Sequence, residues 1–377
     1  MSRHVLYLTG SRADFGLMRS TLELLHADSR VRLGIIVTGQ HMLQDCGMTV
    51  DEVDTSGLPV VARIKVDLEE GDGGAMSRAI ASTLVGVTEV LECHRPDVLL
   101  LLGDRGEMLA GALASLHMNI PVAHIHGGER SGTVDEPIRH AISKLAHYHM
   151  TSTEDAKRRL VRMGELESSI FVTGAPGLDG LVVDAGISRE EMYASQGLDP
   201  ARALALVVFH PVVQSASRAG GEMAGLLDAV GRQGMQALCL MPNSDAGNHA
   251  IRTVLQEYAS AGRIKIANHL PRDDFLRWMQ VADVMVGNSS SGIIEAATFH
   301  LPVVNVGKRQ HAREHAGNVI DCDATSVEIE QALTCALALL GSKFVNPYGN
   351  GDAGRKIVDL LASLPLPASL LNKLNTY

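Results

Sequence analysis

The sequence predicts an α/β protein built from two doubly wound, Rossmann-like domains. Three observations predict it: the length of the chain, the recurrence of short apolar runs each followed by a helix-like stretch, and the lack of a polar face in several of those runs. With 377 residues, 46% of them hydrophobic, the chain exceeds one ordinary core. It fits two domains of roughly 150 to 200 residues each. The runs DVLLLLG (97–103) and LALVVFH (204–210) are apolar at successive positions. A strand buried on both faces belongs in a parallel sheet covered by helices.

Taken in order, strands are expected at 4–9, 32–37, 98–102, 121–125, 203–209, 235–241, 263–267, 284–286 and 302–306. Each lies between turn-forming residues and is followed by a longer amphipathic segment, the rhythm of βαβ units. Between the two sets, TGAPGLDGLVVDAGIS (173–188) concentrates glycine, proline and aspartate and reads as the linker. The expected division is an N-terminal domain at 1–178, a C-terminal domain at 179–352, and a segment at 353–377, helical until Pro365, that packs back on the first domain.

Composition narrows the partners. The net charge of −10, with no basic cluster longer than Lys157-Arg158-Arg159, excludes nucleic acid as a general partner. Residues 157–162 read as the solvated face of a helix. Five scattered cysteines (Cys46, Cys93, Cys239, Cys322 and Cys335) have no CxxC spacing, which suggests neither a disulfide framework nor a zinc site. The first apolar run, 5–8, is too short for a signal-peptide core, and no window reaches the length of a membrane span. These features predict a cytoplasmic protein with no membrane partner and no metal.

The chemistry concentrates at expected strand ends, where doubly wound sheets bind ligands. Residues 124–140, HIHGGERSGTVDEPIRH, hold three histidines, three carboxylates and two arginines. No packing need explains that composition, so the segment reads as an acid/base loop. GSRAD (10–14) and GDR (103–105) end neighbouring strands of the same domain. In the second domain His210 ends one run, PNSDAG (242–247) another, and GNSSSG (287–292) a third, with Glu295 about one turn into the helix that follows. Small hydroxyl and glycine residues at a helix start present N–H donors to an anion. A nucleotide sugar suits both halves, and no cofactor is called for: the P-loop pattern GxxxxGK[ST] does not occur, and the GxGxxG spelled by 349–354 follows none of the expected strands. The duller readings are that Asp104 caps a helix beginning at Arg105, that His124 orients the loop, and that the two His-x-His pairs, lacking further ligands nearby, bind no metal.

The ordered set GSRADFG (10–16), VTGQHM (37–42), GDR (103–105), HIHGGERSGTVDEPIRHAISKL (124–145), PNSDAG (242–247) and GNSSSGIIE (287–295) resembles the hydrolysing UDP-N-acetylglucosamine 2-epimerases of sialic- and legionaminic-acid biosynthesis. The resemblance implies a glycosyltransferase-B-type fold with the active site in the interdomain cleft, and commonly a homodimer. It also implies elimination of the nucleoside diphosphate to a 2-acetamidoglycal, then addition of water with inversion at C2. By motif position Asp104 and Asp135 match acid/base residues, Arg105 and Arg139 positioning arginines, and His210 a histidine near the diphosphate. Ser289 and Ser290 match phosphate binders and Glu295 a ribose binder, while Arg12, Asn243 and Arg309 match further nucleotide contacts. Many relatives carry glutamate where this chain has His126, so the acid/base role there falls to His126 or Glu129. UDP-N-acetylglucosamine, giving N-acetylmannosamine and UDP, is the first expected substrate, and UDP- or GDP-linked N,N'-diacetylbacillosamine the second. A non-hydrolysing 2-epimerase and a glycosyltransferase of the same fold are the rival activities.

Overall fold

The computed structural model describes residues 2–42, 49–66, 72–131, 134–181, 188–243, 245–267 and 270–376. Cys46, Gly132, Thr133 and Ser244, all in segments noted above, lie outside the described residues. The chain divides into two compact units, one comprising Met1–Arg130, Val134–Gly180 and Tyr348–Tyr377, the other centred on Leu181–Pro347.

The first unit runs β1 (Arg3–Thr9), α1 (Arg12–Ala27), β2 (Val31–Val37), α2 (Val50–Thr55), β3 (Val60–Arg63), α3 (Gly73–His94), β4 (Val98–Leu102), α4 (Gly106–His117), β5 (Val122–Ile125), α5 (Asp135–Leu145), β6 (Tyr148–Thr151), α6 (Glu154–Arg162) and β7 (Ile170–Val172). Its seven strands are ordered β3-β2-β1-β4-β5-β6-β7, with parallel pairing throughout. The strand order reverses between β1 and β4. In such sheets that reversal opens a crevice at the carboxyl ends of the two strands.

The second unit repeats the plan with α7 (Arg189–Ser195), β8 (Leu204–Val208), α8 (Ala219–Arg232), β9 (Gln236–Leu240), α9 (Asn248–Ser260), β10 (Lys265–Ala267), α10 (Arg272–Val281), β11 (Val284–Gly287), α11 (Ser290–Ile294), β12 (Val303–Val306), β13 (Val319–Cys322) and α12 (Ser326–Leu337). Its order, β10-β9-β8-β11-β12-β13, places the reversal between β8 and β11. Apolar strands such as β4 and β8 are buried at every position, as two helical layers require.

The chain then returns to the first unit as α13 (Ala353–Ser363), which lays Ile357, Val358 and Leu361 on a core containing Phe15, Met18, Leu22 and Leu25. Asp179 caps its start, accepting from the Ala353 N–H at 3.0 Å and from the Gly354 N–H. That carboxylate satisfies donors the helix leaves open.

Candidate active site

In the first unit the carboxyl ends of β4, β5 and β6 lie side by side, and each delivers a polar group. Beyond β4 stands Asp104, beyond β5 His126 and Glu129, and beyond β6 Ser152. Arg139, from the second turn of α5, ties them together. Its guanidinium, 1% exposed, donates to Asp104 Oδ2, to Glu129 Oε2 at 3.3 Å and to the His126 carbonyl at 3.1 Å. An arginine fork can hold several acceptors in one geometry at once.

His126 and Glu129 form a second link. His126 Nδ1 lies 2.6 Å from Glu129 Oε1, which also accepts from the Ser152 hydroxyl. Held this way, Nδ1 carries the ring proton and Nε2 the lone pair. Nε2 is buried with no hydrogen-bond partner. Backbone strain marks the same residue, since His126 adopts φ 63°, a left-handed conformation uncommon outside glycine. The turn is locked by Gly128 at φ 77°, where a β-carbon would meet the Ala156 carbonyl at 2.4 Å.

Supporting groups stand behind. His124, wholly buried on β5, donates through Nε2 to the Gly103 carbonyl at 2.7 Å and meets the Ser143 hydroxyl at 3.1 Å through Nδ1. Burial pushes its pKa down to about 3, so it is a neutral brace between the Asp104 turn and α5. Arg105 holds the N-cap position of α4, and the Asp104 carboxylate pairs with Arg139. Arg105 approaches Glu107 at 3.6 Å. Residues 157–162 are not wholly a solvated face either, since Arg159 donates to the Gly128 carbonyl. Asp135 and Glu136 open α5, and Glu136 lies 3.5 Å from His140. Arg12 opens α1 at the end of β1, where Gly10 and Ser11 donate to the buried Asp14 carboxylate, both at 2.9 Å. Among the described residues no group of three or more His, Cys, Asp or Glu side chains is arranged to hold a metal.

The second unit assembles its groups around Asn288, which the sequence reading did not single out. Its side chain accepts from the His210 N–H at 2.7 Å and donates to the His210 carbonyl at 2.8 Å, joining the ends of β8 and β11. Arg309 donates to the Asn288 carbonyl at 3.0 Å. The Asn243 N–H donates to His210 Nδ1 at 3.2 Å, which puts the ring proton on Nε2 and makes that nitrogen a donor. The Asn243 side chain donates to Asp245 at 2.7 Å. Ser289 is the N-cap of α11 and Ser290 its first residue. Glu295 closes α11 as its C-cap, the helix spanning five residues. Fully buried, it pairs with Arg272 through Oε1, while Oε2 has no partner. Arg272 and Ser152 carry no motif signal in the sequence, and only the fold brings them to their carboxylates.

Comparison with known proteins sets this geometry in context. Residues 23–362 match the model of the UDP-N-acetylglucosamine 2-epimerase family. The chain is 48% identical, over 100% of both chains, to the UDP-N,N'-diacetylbacillosamine 2-epimerase (hydrolyzing) of Legionella pneumophila. It is 33% identical to the UDP-N-acetylglucosamine 2-epimerase of Neisseria meningitidis, covering 93% of this chain and 92% of that one. In fold it is similar to the Neisseria meningitidis UDP-GlcNAc 2-epimerase solved with UDP-GlcNAc, with a TM-score of 0.81 at 19% identity over 95% of this chain and 99% of the other. The chain is an enzyme of the UDP-N-acetylglucosamine 2-epimerase family.

Proposed function

We propose that the enzyme is a hydrolysing 2-epimerase acting on UDP-N,N'-diacetylbacillosamine, releasing UDP and the free 2,4-diacetamido sugar of manno configuration. The observation that carries the reaction class is the buried Glu129–His126 pair gripped by Arg139 beside Asp104. Full-length identity of 48% to the Legionella pneumophila enzyme favours the diacetamido sugar. UDP-N-acetylglucosamine is the second reading, supported by the 33% identical Neisseria meningitidis relative.

In the reaction a base removes the C2 proton as the C1–O bond to the diphosphate breaks, leaving the 2-acetamidoglycal and UDP. Water then adds its hydroxyl at C1 while an acid delivers a proton to the opposite face of C2. His126 Nε2 is the base, held ready because Glu129 occupies Nδ1. Asp135, one helical turn before Arg139, is the acid, and Asp104 together with Arg139 fixes the sugar. The departing diphosphate is received in the second unit by the Nε2–H of His210, the amides around Ser289 and Ser290, and Arg309. Asn243, Arg12 and Arg105 add nucleotide contacts, and the open Oε2 of Glu295 accepts from the ribose.

By the family resemblance, we also propose that the enzyme is a cytosolic homodimer. Four of its cysteines, Cys93, Cys239, Cys322 and Cys335, form no disulfide, and no helix among the described residues is long and apolar enough to cross a membrane.

The test is incubation with each nucleotide sugar in deuterated water, followed by NMR. Deuterium at C2 of a free manno sugar, with UDP released, is expected, and faster with the diacetamido substrate. Free sugar that keeps the gluco configuration and a protium at C2 would reduce the reaction to simple hydrolysis, and a nucleotide-linked epimer would make the enzyme non-hydrolysing. Asp135→Asn is expected to lower turnover by about 10²–10⁴-fold with UDP affinity unchanged.

A further inference from the structure

The helix that carries Asp135 and Arg139 is held from its far end by a residue more than two hundred positions away. Beyond α13 the chain continues to Lys373, whose ammonium donates to the carbonyls of Ser143 at 3.0 Å, Lys144 at 2.9 Å and Ala146 at 2.5 Å. These belong to the last turn of α5 and the residue that leaves it, where backbone carbonyls lack partners within the helix and the helix dipole is negative. One cation therefore satisfies acceptors and opposes the dipole together.

The anchor is itself anchored. Lys373 pairs with Glu165 at 2.6 Å, and Glu165, 1% exposed, also meets Lys144 at 2.7 Å and His149 Nε2 at 3.0 Å. Lys144 donates to Asn375 at 2.5 Å and to the Met163 carbonyl at 3.1 Å, and the Thr376 N–H donates to the Gly164 carbonyl at 3.0 Å. Residues 373–376 thus strap the end of α5 to the turn after α6. At its other end α5 has no side-chain cap: Val134 stands at the N-cap position. The N-terminal turns of α5 carry the reacting groups, and its C-terminal turn carries the restraint.

We propose that Lys373 is a positioning residue for catalysis, setting the placement of α5 and through it the alignment of Asp135 and Arg139. The inference rests on the reading that α5 carries acid/base chemistry. A rigid helix shifted at one end moves the other, and a displacement near 1 Å at reacting groups costs about 10²-fold in rate.

Lys373→Met keeps the side-chain stem and removes the three donors and the charge. It is expected to lower kcat about tenfold or more, with UDP affinity within about twofold of the parent, because none of the groups assigned to the nucleotide lies on α5. Lys373→Gln, which can still donate to carbonyls, is expected to recover part of kcat. Leu374→Ala, at an exposed neighbour, is the control with parental kinetics. Parental kcat in Lys373→Met overturns the proposal, as does a fall in kcat matched by equal loss of UDP binding, or failure of both variants to fold. Asp135→Asn separates the layers: a parental rate there removes the acid/base reading itself, whereas an inactive Asp135→Asn beside a fully active Lys373→Met overturns only the role of Lys373.

Discussion

At the scale of the residue, His126 concentrates three unusual conditions: a left-handed backbone, one ring nitrogen committed to a carboxylate and the other buried without a partner. Each costs stability alone, and their coincidence is characteristic of a group kept for chemistry. The division of labour has a measurable consequence. His126→Gln is expected to lower kcat by about 10³-fold and Glu129→Gln by about 10–100-fold, while the double variant falls no further than His126→Gln, because Glu129 acts through the ring it orients. Steady-state kinetics with UDP affinity measured alongside would decide it. A Glu129→Gln loss that adds in full to that of His126→Gln would give the carboxylate its own proton-transfer step. The sequence left these two residues as alternatives, since spacing alone cannot say which atom faces which. The distance of 2.6 Å between Nδ1 and Oε1 turns the alternatives into partners.

At the scale of the element, legibility followed apolar length. Strands such as β1, β4 and β8 declared themselves through uninterrupted apolar runs, whereas β3, β6, β7 and β13 did not. β6 reads YHMT, with a histidine inward that is satisfied only by Glu165, and β7 is three residues long. β13 alternates as an edge strand does, with Asp321 exposed and taken up by Asn305. The second-unit site depends on one such element detail. Gly287 ends β11 at φ 143°, and a β-carbon there would come within 2.0 Å of the Val208 carbonyl. The contact draws β11 against β8 closely enough for Asn288 to grip both sides of the His210 peptide. Gly287→Ala must push the strand ends apart. It is expected to weaken UDP binding by about tenfold or more and to destabilise the second unit by about 2–4 kcal/mol. Calorimetric titration with UDP and denaturation followed by Trp278 fluorescence would measure the two effects, and parental UDP affinity in that variant would detach the β8–β11 junction from nucleotide binding.

At the scale of the whole molecule, the two units differ in how they bury titratable groups, and acid should separate them. In the first unit burial pushes His41 and His147 down to about 4 and His124 to about 3, and it lowers His149 in the same direction. A histidine held neutral stabilises fully above its unfolded value near 6.5 and loses that contribution as pH falls toward its folded value. Glu165 behaves alike at lower pH: burial works to raise it, but His149, Lys144 and Lys373 outweigh burial and hold it at about 2, so its contribution disappears as pH falls below the ordinary carboxylate range. Asp14 opposes them, because burial raises it to about 6 and its contribution grows as pH falls from there toward its unfolded value. The lowered histidines outnumber the one aspartate, so the first unit loses stability as pH falls from about 6 toward 4. In the second unit His315 is raised by Asp321, so its contribution is fully present below about 6.5 and is lost only as pH rises. The chain supplies its own reporter: the single tryptophan, Trp278, is buried in the second unit. Urea unfolding between pH 7 and 5 should therefore move the transition seen by circular dichroism to lower urea while the Trp278 fluorescence midpoint holds. His41→Gln should flatten the first slope by about 1.4 kcal/mol per pH unit. A fluorescence midpoint that falls in step with circular dichroism would show that the units unfold as one body and that the acid response cannot be assigned to the histidines of the first.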